Sequence, residues 1–179
     1  MKKEIRLSGS GGQGLILAGV ILAEGAIISN LNAVQSQSYG PEARGGASKA
    51  EVIISDKNIN FPKIIKSDIL ISLTQKSFDE YSEYIKEDSI IIVDSSIEVS
   101  NSINASVHKI PILETAKDVL KKPMTANIIT LGILSNLIPE INQEHIKVAI
   151  LNRVPKGSEN LNIKAFEQGK SFLKEVVNV

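Results

Sequence analysis

The sequence predicts an α/β fold, a single Rossmann-like domain over residues 1–179. Its sheet is mostly parallel, with helices on both faces and an antiparallel edge strand or hairpin. Three observations predict this. A short strand, a glycine-rich turn and a nearly all-apolar helix follow one another at the start of the chain. Further short apolar strands then alternate with helical stretches. No repeat, linker or break in composition divides the 179 residues, a length typical of one domain.

The predicted strands are short and rich in isoleucine and valine, except the second, which is polar. Residues 49–55 alternate between apolar and polar and are assigned to the antiparallel strand or hairpin. The run 68–73 is predominantly apolar, which is typical of a strand covered on both faces. The predicted strands span residues 4–8, 33–39, 49–55, 68–73, 90–93 and 107–110.

The predicted helices follow from apolar spacing and from capping residues. Residues 15–29 are nearly all apolar, as in helices that are buried on several sides. Ser77 and Glu80 have the spacing of a capping box, and Asn142 is a candidate N-cap. The predicted helices span residues 15–29, a stretch from Thr74 or Ser77 to about 85, then 112–120, 126–138, 143–151 and 161–177.

Composition excludes several classes of protein. The chain has no Cys, so it holds no disulfide framework, cysteine-ligated zinc or iron–sulfur cluster. Its 20 Lys and Arg balance 20 Asp and Glu, which argues against a dedicated nucleic-acid binder because such proteins present a basic surface. The absence of Cys is compatible with a reducing cytoplasm.

The amino terminus has the outline of a secretory signal peptide, with two lysines, an apolar run and small residues. Glu4, Arg6 and Glu24 interrupt that outline, and a Gly/Ser/Gln stretch precedes the apolar run. We therefore expect a folded start rather than a cleaved leader. We also expect no membrane span, because no apolar run approaches the roughly 20 residues that a bilayer requires.

The first candidate site is the turn GSGGQG, which matches G-x-G-x-x-G between a strand and a helix. Small residues let an anion approach the backbone N–H groups at a helix start. A tight turn without a ligand remains the alternative. NAD or FAD in the usual pose is disfavoured because the predicted second strand ends without an acidic residue. The candidate binding residues are Gly9, Gly11, Gly12, Gln13 and Gly14.

The second candidate is the polar second strand with the loop that follows it. Buried amides and hydroxyls need hydrogen-bond partners, so this strand is either an exposed edge or contacts a ligand or another subunit. The loop at 39–46 combines glycines, a proline and one ion pair, and its arginine can bind a carboxylate or phosphate. A solvated surface turn is the alternative. The candidate interface or channel residues are Gln37, Ser38, Tyr39, Gly40, Pro41, Glu42, Arg44, Gly45 and Gly46.

The remaining polar candidates are weak. His108 and His145 are isolated, and Asp68, Asp94 and Asp118 lie at element ends, where capping is the common role. Asn127 begins an apolar helix, where we expect a cap or a subunit contact. No residue is predicted to be catalytic, and no cluster has the spacing of metal ligands.

Two segments together resemble a known family. The turn GSGGQG followed by LILAGVILAEGA, and the segment QSQSYGPEARGGASKAEVIIS, are similar to the gamma subunit of 2-oxoacid:ferredoxin oxidoreductases. The form SYGPEARGGAS resembles the 2-oxoglutarate:acceptor branch most. The resemblance covers nearly the whole chain, and the two motifs at this spacing are specific where either alone is not.

The resemblance implies an enzyme complex that decarboxylates a 2-oxoacid, transfers the acyl group to coenzyme A and reduces ferredoxin or flavodoxin. Alpha, beta and delta subunits are the implied partners. Thiamine diphosphate with Mg²⁺ is implied between alpha and beta, and 4Fe-4S clusters in beta and delta. This chain itself is expected to hold no cofactor and to be inactive in isolation.

The resemblance also implies a place beside the channel by which coenzyme A reaches the thiamine site. The glycine turn would then offer N–H groups to coenzyme A, and the loop at 39–46 would contact other subunits with Arg44 as its charged anchor. Three alternatives stay open: a subunit for another 2-oxoacid (pyruvate, branched-chain or indolepyruvate), a purely structural docking subunit, and a stand-alone nucleotide-binding reductase. The expected location is the cytoplasm.

Overall fold

A computed structural model describes residues 1–38, 47–100, 103 and 105–173. Its centre is a six-stranded sheet with the order β2-β3-β1-β4-β5-β6. Strands β1, β4, β5 and β6 are parallel neighbours, whereas β3 runs antiparallel to both β1 and β2. The strands are β1 (Lys2–Gly9), β2 (Asn32–Ser38), β3 (Ser48–Ser55), β4 (Ser67–Ser72), β5 (Ile85–Asp94) and β6 (Ser106–Ile110).

The helices differ in length and in regularity. A π-helical turn at Thr115–Val119 follows α3, and a 3₁₀ turn at Pro123–Thr125 leads into α4. The α-helices are α1 (Leu15–Ile28), α2 (Gln75–Tyr81), α3 (Ile112–Glu114), α4 (Ala126–Leu137), α5 (Gln143–Arg153) and α6 (Glu159–Ser171).

The predicted fold class is confirmed: an α/β sheet, parallel apart from a hairpin, with helices on both faces. The hairpin is β2–β3, and β2 is the edge strand while β3 lies inside the sheet. Gln37 of β2 is exposed and Ser38 is half-buried. A polar edge strand of this kind resists edge-to-edge association.

The two faces of the sheet are covered unequally. Helices α1, α4, α5 and α6 build the large core with the inward side chains of β1, β3, β4 and β5. The other face carries α2, whose Phe78 and Tyr81 pack on Leu70 and Ile91. Leu70, Ile91 and Val93 face this smaller core, whereas Ile69, Ile71 and Ile92 face the large one, so the apolar runs within β4 and β5 are covered on both sides.

Several predicted boundaries were wrong. The helix expected to reach about 85 ends at Tyr81, because β5 begins at Ile85. Its N-cap is Thr74, whose Oγ1 accepts from the Ser77 amide at 3.3 Å. The helix expected at 112–120 is one short α-helical turn followed by a π turn. The last helix begins at Glu159 rather than 161, and the predicted part beyond 173 lies outside the described residues.

Candidate functional site at the glycine turn

The glycine turn lies where β1 meets α1, at the edge of the sheet formed by the carboxyl ends of the parallel strands. Gly12 and Gly14 have positive φ angles of 87° and 73°, which L-residues with side chains rarely adopt. Gly14 is the N-cap of the 14-residue helix α1 and supplies no side-chain cap, and no acidic residue lies in the first turn. The amino end of α1 is therefore positioned to attract an acceptor oxygen.

The Gln13 side chain stabilises the glycine turn through a hydrogen bond inside it. Its Oε1 accepts a hydrogen bond from the Ser10 amide at 2.8 Å and lies where a Cβ on Gly9 would be. A side chain at Gly9 would also come within 3.0 Å of Leu15 Cδ1. Gly9 and the Gln13 side chain thus serve the internal packing of the turn.

Asn127, at the start of α4, packs against the glycine turn at Gly14. Its Nδ2 donates to the Gly14 carbonyl at 3.3 Å, and it lies 2.7 Å from the position that a Cβ on Gly14 would take. Asn127 is 4% exposed, and its Oδ1 is buried without a hydrogen-bond partner. Only a capping or subunit-contact role was predicted for Asn127, because no local pattern links it to a turn 113 residues away.

Gly11 and Gly12 face open space. A Cβ built on either would meet nothing within 4 Å. The space belongs to a cavity of about 430 Å³ beside the start of α1. Its walls come from the turn, the first turn of α1, the β2–β3 hairpin and the segment before α4, and the lining residues are Ser10, Gly11, Gly12, Gly14, Leu15, Ile16, Leu17, Ser38, Ala47, Ser48 and Met124.

The second predicted site is only partly within the described residues. Ser38 reaches the same cavity as the glycine turn, together with Ser48 from the facing strand. Gln37 lies on the exposed edge strand and does not line that cavity. The other candidates lie outside the described residues: Tyr39, Gly40, Pro41, Glu42, Arg44, Gly45 and Gly46.

The identity of the strand beside β1 affects the argument against NAD or FAD binding in the usual pose. Sequence analysis looked for the acidic residue at the end of the second strand, but the strand beside β1 is the antiparallel β3. Ser48 is the β3 residue opposite Gly9. The acidic residue of β3, Glu51, is bound instead to Arg6 through Nε and Nη2, both at 2.8 Å. The usual ribose-binding acid is therefore not at this position.

The weaker polar candidates have structural partners. Asp94 is buried, and its Oδ2 accepts from the Leu113 amide at 2.8 Å, so it caps the start of α3. His108 Nε2 lies 2.9 Å from Ser106 Oγ, and His145 Nδ1 lies 2.9 Å from the hydroxyl of Ser29, the C-cap of α1. These contacts give the three residues partners within the chain, so no ligand is needed to explain them.

A cluster of charges lies at the opposite edge of the sheet from the glycine turn. Lys86 Nζ contacts Glu4 Oε2 at 2.8 Å and Asp68 Oδ1 at 2.9 Å. Burial opposes the ionised form of Glu4, but hydrogen bonds from Lys86 and Lys2 outweigh it and hold the pKa of Glu4 below its usual value. The cluster joins the start of β1 to β4 and β5, which is a structural role.

Among the described residues, no group of three or more His, Asp or Glu side chains is arranged to hold a metal ion. No helix within the same part of the chain has the length and apolarity needed to cross a bilayer.

Residues 4–172 match the family model described as pyruvate ferredoxin/flavodoxin oxidoreductase. The 2-oxoglutarate synthase subunit KorC of Methanocaldococcus jannaschii is 49% identical, over 98% of this chain and 96% of its own length. The subunit of the same name from Methanothermobacter marburgensis is 40% identical over 98% of both chains.

A solved structure agrees with these relatives. The gamma subunit of a keto/oxoacid ferredoxin oxidoreductase from Geobacter sulfurreducens superposes with a TM-score of 0.84 and is 46% identical. The match covers 94% of this chain and 96% of that subunit. The family model spans the glycine turn, the hairpin and all the helices described above. The chain therefore belongs to the pyruvate ferredoxin/flavodoxin oxidoreductase family, as a gamma subunit of the 2-oxoacid:ferredoxin oxidoreductases.

Proposed function

We propose that this chain is the gamma subunit of a 2-oxoglutarate:ferredoxin or flavodoxin oxidoreductase. The complex converts 2-oxoglutarate, coenzyme A and the oxidised acceptor into succinyl-CoA, CO₂ and the reduced acceptor. The observation that carries this is the 49% identity to a 2-oxoglutarate synthase subunit along nearly the full length of both chains. A likeness of this extent favours 2-oxoglutarate over the other 2-oxoacids that the sequence left open.

In the proposed complex, alpha, beta and delta subunits hold thiamine diphosphate with Mg²⁺ and the 4Fe-4S clusters. This chain has no Cys to ligate a cluster, which supports placing the redox chemistry in its partners. Its own contribution is to bind and position. We place the complex in the cytoplasm, a reducing compartment with which the absence of Cys is compatible.

The glycine turn is proposed to form part of the path of coenzyme A. The uncapped amino end of α1 offers N–H groups, and the open space at Gly11 and Gly12 lets a ligand approach the backbone closely. Ser38 and the loop at 39–46 are proposed to close this path against the neighbouring subunits, with Arg44 as the charged anchor. A purely structural docking role is the competing function.

Reconstitution tests the assignment. The chain is co-expressed with the alpha, beta and delta subunits of its own organism, and acceptor reduction is measured with 2-oxoglutarate, pyruvate, 2-oxoisovalerate and indolepyruvate. We expect coenzyme A-dependent turnover to be fastest with 2-oxoglutarate and to be lost when this chain is omitted. Preference for another 2-oxoacid would refute the substrate, and full turnover without the chain would refute its place in the enzyme.

A further inference from the structure

We propose that a groove beside α2 is the docking surface for a short amphipathic helix of a neighbouring subunit, whose apolar side chains are flanked by Lys or Arg. The groove is a cavity of about 830 Å³ between α2, the start of β5 and the connection from β5 to β6. We call it the acidic groove, after the carboxylates of Asp79, Glu83, Glu87 and Glu98 in its lining. The inference rests on membership of a multisubunit family and not on the substrate proposed above.

The first step is the reason why the groove exists. Parallel strands are usually joined by a crossover that contains an α-helix, and this helix covers the sheet. Here β5 ends at Asp94 and β6 begins at Ser106, and the described residues between them, 95–100, 103 and 105, form no helix. The smaller core is covered by α2, which has only seven residues. The cover over β5 and β6 is therefore incomplete.

The second step is the apolar surface that this incomplete cover leaves in the groove. Phe78 of α2 is 3% exposed, whereas Ile85, Val99 and Ile103 pack against the same smaller core and are only partly buried. Apolar surface with a polar rim is typical of a protein contact. An amphipathic helix whose apolar side lies in the groove would supply the cover that the β5–β6 connection lacks.

The third step is the charge of the rim. Four carboxylates line the acidic groove, against the single cation Lys86. Lys86 is already engaged, since its Nζ contacts Glu4 Oε2 at 2.8 Å and Asp68 Oδ1 at 2.9 Å. Positions 101, 102 and 104, beside Ile103 in the chain, are Asn and Ser and add no charge. Because the whole chain has equal numbers of acidic and basic residues, this local excess is specific to the groove and complements a basic partner.

The fourth step is the extent of the acidic surface. A second cavity of about 410 Å³ shares Glu87 and Ile103 with the groove. Its lining adds the carboxylate of Asp88 and reaches Ser106, the first residue of the edge strand β6. The acidic surface thus runs from α2 to the edge of the sheet. A surface of this length fits a polypeptide segment with several Lys or Arg residues better than it fits one small cation.

Crosslinking in the assembled complex identifies the occupant. The photoreactive residue p-benzoylphenylalanine replaces Ser82, which lines the groove, and the chain is co-expressed with its partner subunits. We expect mass spectrometry to find a crosslink to a peptide of another subunit that has apolar residues at helical spacing and flanking Lys or Arg. A crosslink to a second copy of this chain, a crosslink to a segment without basic residues, or no crosslink to protein would overturn the proposal.

Charge reversal tests the role of the carboxylates. Glu83→Lys and Glu87→Lys are compared with Glu140→Lys, an exposed site between α4 and α5 on the other face of the sheet. We expect the dissociation constant of this chain from the complex to rise about tenfold in each groove variant at low salt, and to approach the wild-type value at high salt. The Glu140→Lys control should stay within about twofold. Thermal unfolding checks that every variant is folded.

Val99→Ser tests the apolar part of the contact and should weaken the association by a factor that salt does not change. Equal effects at all three glutamates would show that the groove carboxylates are only a solvated surface, and this would overturn the proposal. The substrate preference of the wild-type complex is measured separately. A preference for another 2-oxoacid would refute the proposed substrate and leave the docking surface in place.

Discussion

Two groups of glycines in this chain serve opposite purposes. At the crossing of α4 and α6, a Cβ on Gly132 would overlap the carbonyl oxygen of Phe166 and lie 2.9 Å from Gly169 Cα. A Cβ on Gly169 would in turn overlap the carbonyl oxygen of Ile129. In the turn after β1, a Cβ on Gly11 or Gly12 would meet nothing within 4 Å.

This difference distinguishes glycines that the packing of the fold requires from glycines that point to a ligand or a partner. The helices α4 and α6 touch backbone to backbone, so glycine there is explained by the packing of this chain alone. At Gly11 the chain itself has no steric need of glycine, which is why the turn is the better candidate for a ligand or a partner. Gly14 lies between the two cases, since it needs both its positive φ and its clearance from Asn127.

The largest effect is expected at the helix crossing. Gly169→Ala forces the backbones of α4 and α6 apart, and we expect it to lower the free energy of unfolding by about 3 kcal/mol, even though alanine favours a helix by about 1 kcal/mol. Urea unfolding of the purified chain measures it. Lys164→Ala on the exposed side of α6 is the control and should be near neutral; a mild effect at Gly169 would mean that the crossing is loosely packed.

Gly14→Ala should come next. A positive φ of 73° and a Cβ placed 2.7 Å from Asn127 Nδ2 both oppose it, and we expect a loss of about 2 kcal/mol in the free energy of unfolding. The double variant Gly14→Ala with Asn127→Ala relieves the clash but not the dihedral strain. A double-mutant cycle therefore separates the two causes, and strict additivity would show that the residues are not coupled.

Gly12→Ala isolates the dihedral cost, because its φ is 87° and the space around it is open. We expect it to reduce the free energy of unfolding by about 1 kcal/mol. Gly12→Asn should be tolerated better, since asparagine enters the left-handed region more readily than alanine. Equal losses for alanine and asparagine would point to a steric cause that the open surroundings do not provide.

Gly11→Ala should have the smallest effect. Its backbone is outside the left-handed region and its surroundings are open, so alanine is expected to change the free energy of unfolding by less than about 0.5 kcal/mol, or to stabilise slightly by restricting the unfolded chain. A loss as large as that of Gly14→Ala would erase the distinction between the two groups of glycines.

Local patterns predicted most of the fold. The apolar run in β4 and the nearly all-apolar α1 were correctly predicted as buried elements. Asn142 is the N-cap of α5, as its position indicated, and its Oδ1 accepts from the Glu144 amide at 2.9 Å. The errors came where tertiary contacts overrode local preference. The chain after Tyr81 could have continued α2, but residues from Ile85 gain more by pairing with β4 as part of β5.

The site was predictable in part. The spacing of GSGGQG between a strand and a helix located the turn, yet it could not show that Gln13 braces it or that β3 rather than β2 lies beside β1. Gly132 and Gly169 lie inside helices, where glycine lowers the helical propensity. The sequence alone could not show that helix packing requires glycine at these two positions.

The sequence by itself determined the order and approximate positions of most strands and helices and the position of the glycine turn, because these follow from residue periodicity and turn composition within a few residues. Only the tertiary structure decided which strands are neighbours, which glycines are required by packing, and that Asn127 lies under Gly14 with its Oδ1 unpaired. Such contacts join residues that lie from several tens to more than a hundred positions apart. They depend on how whole elements pack, and no local pattern records that.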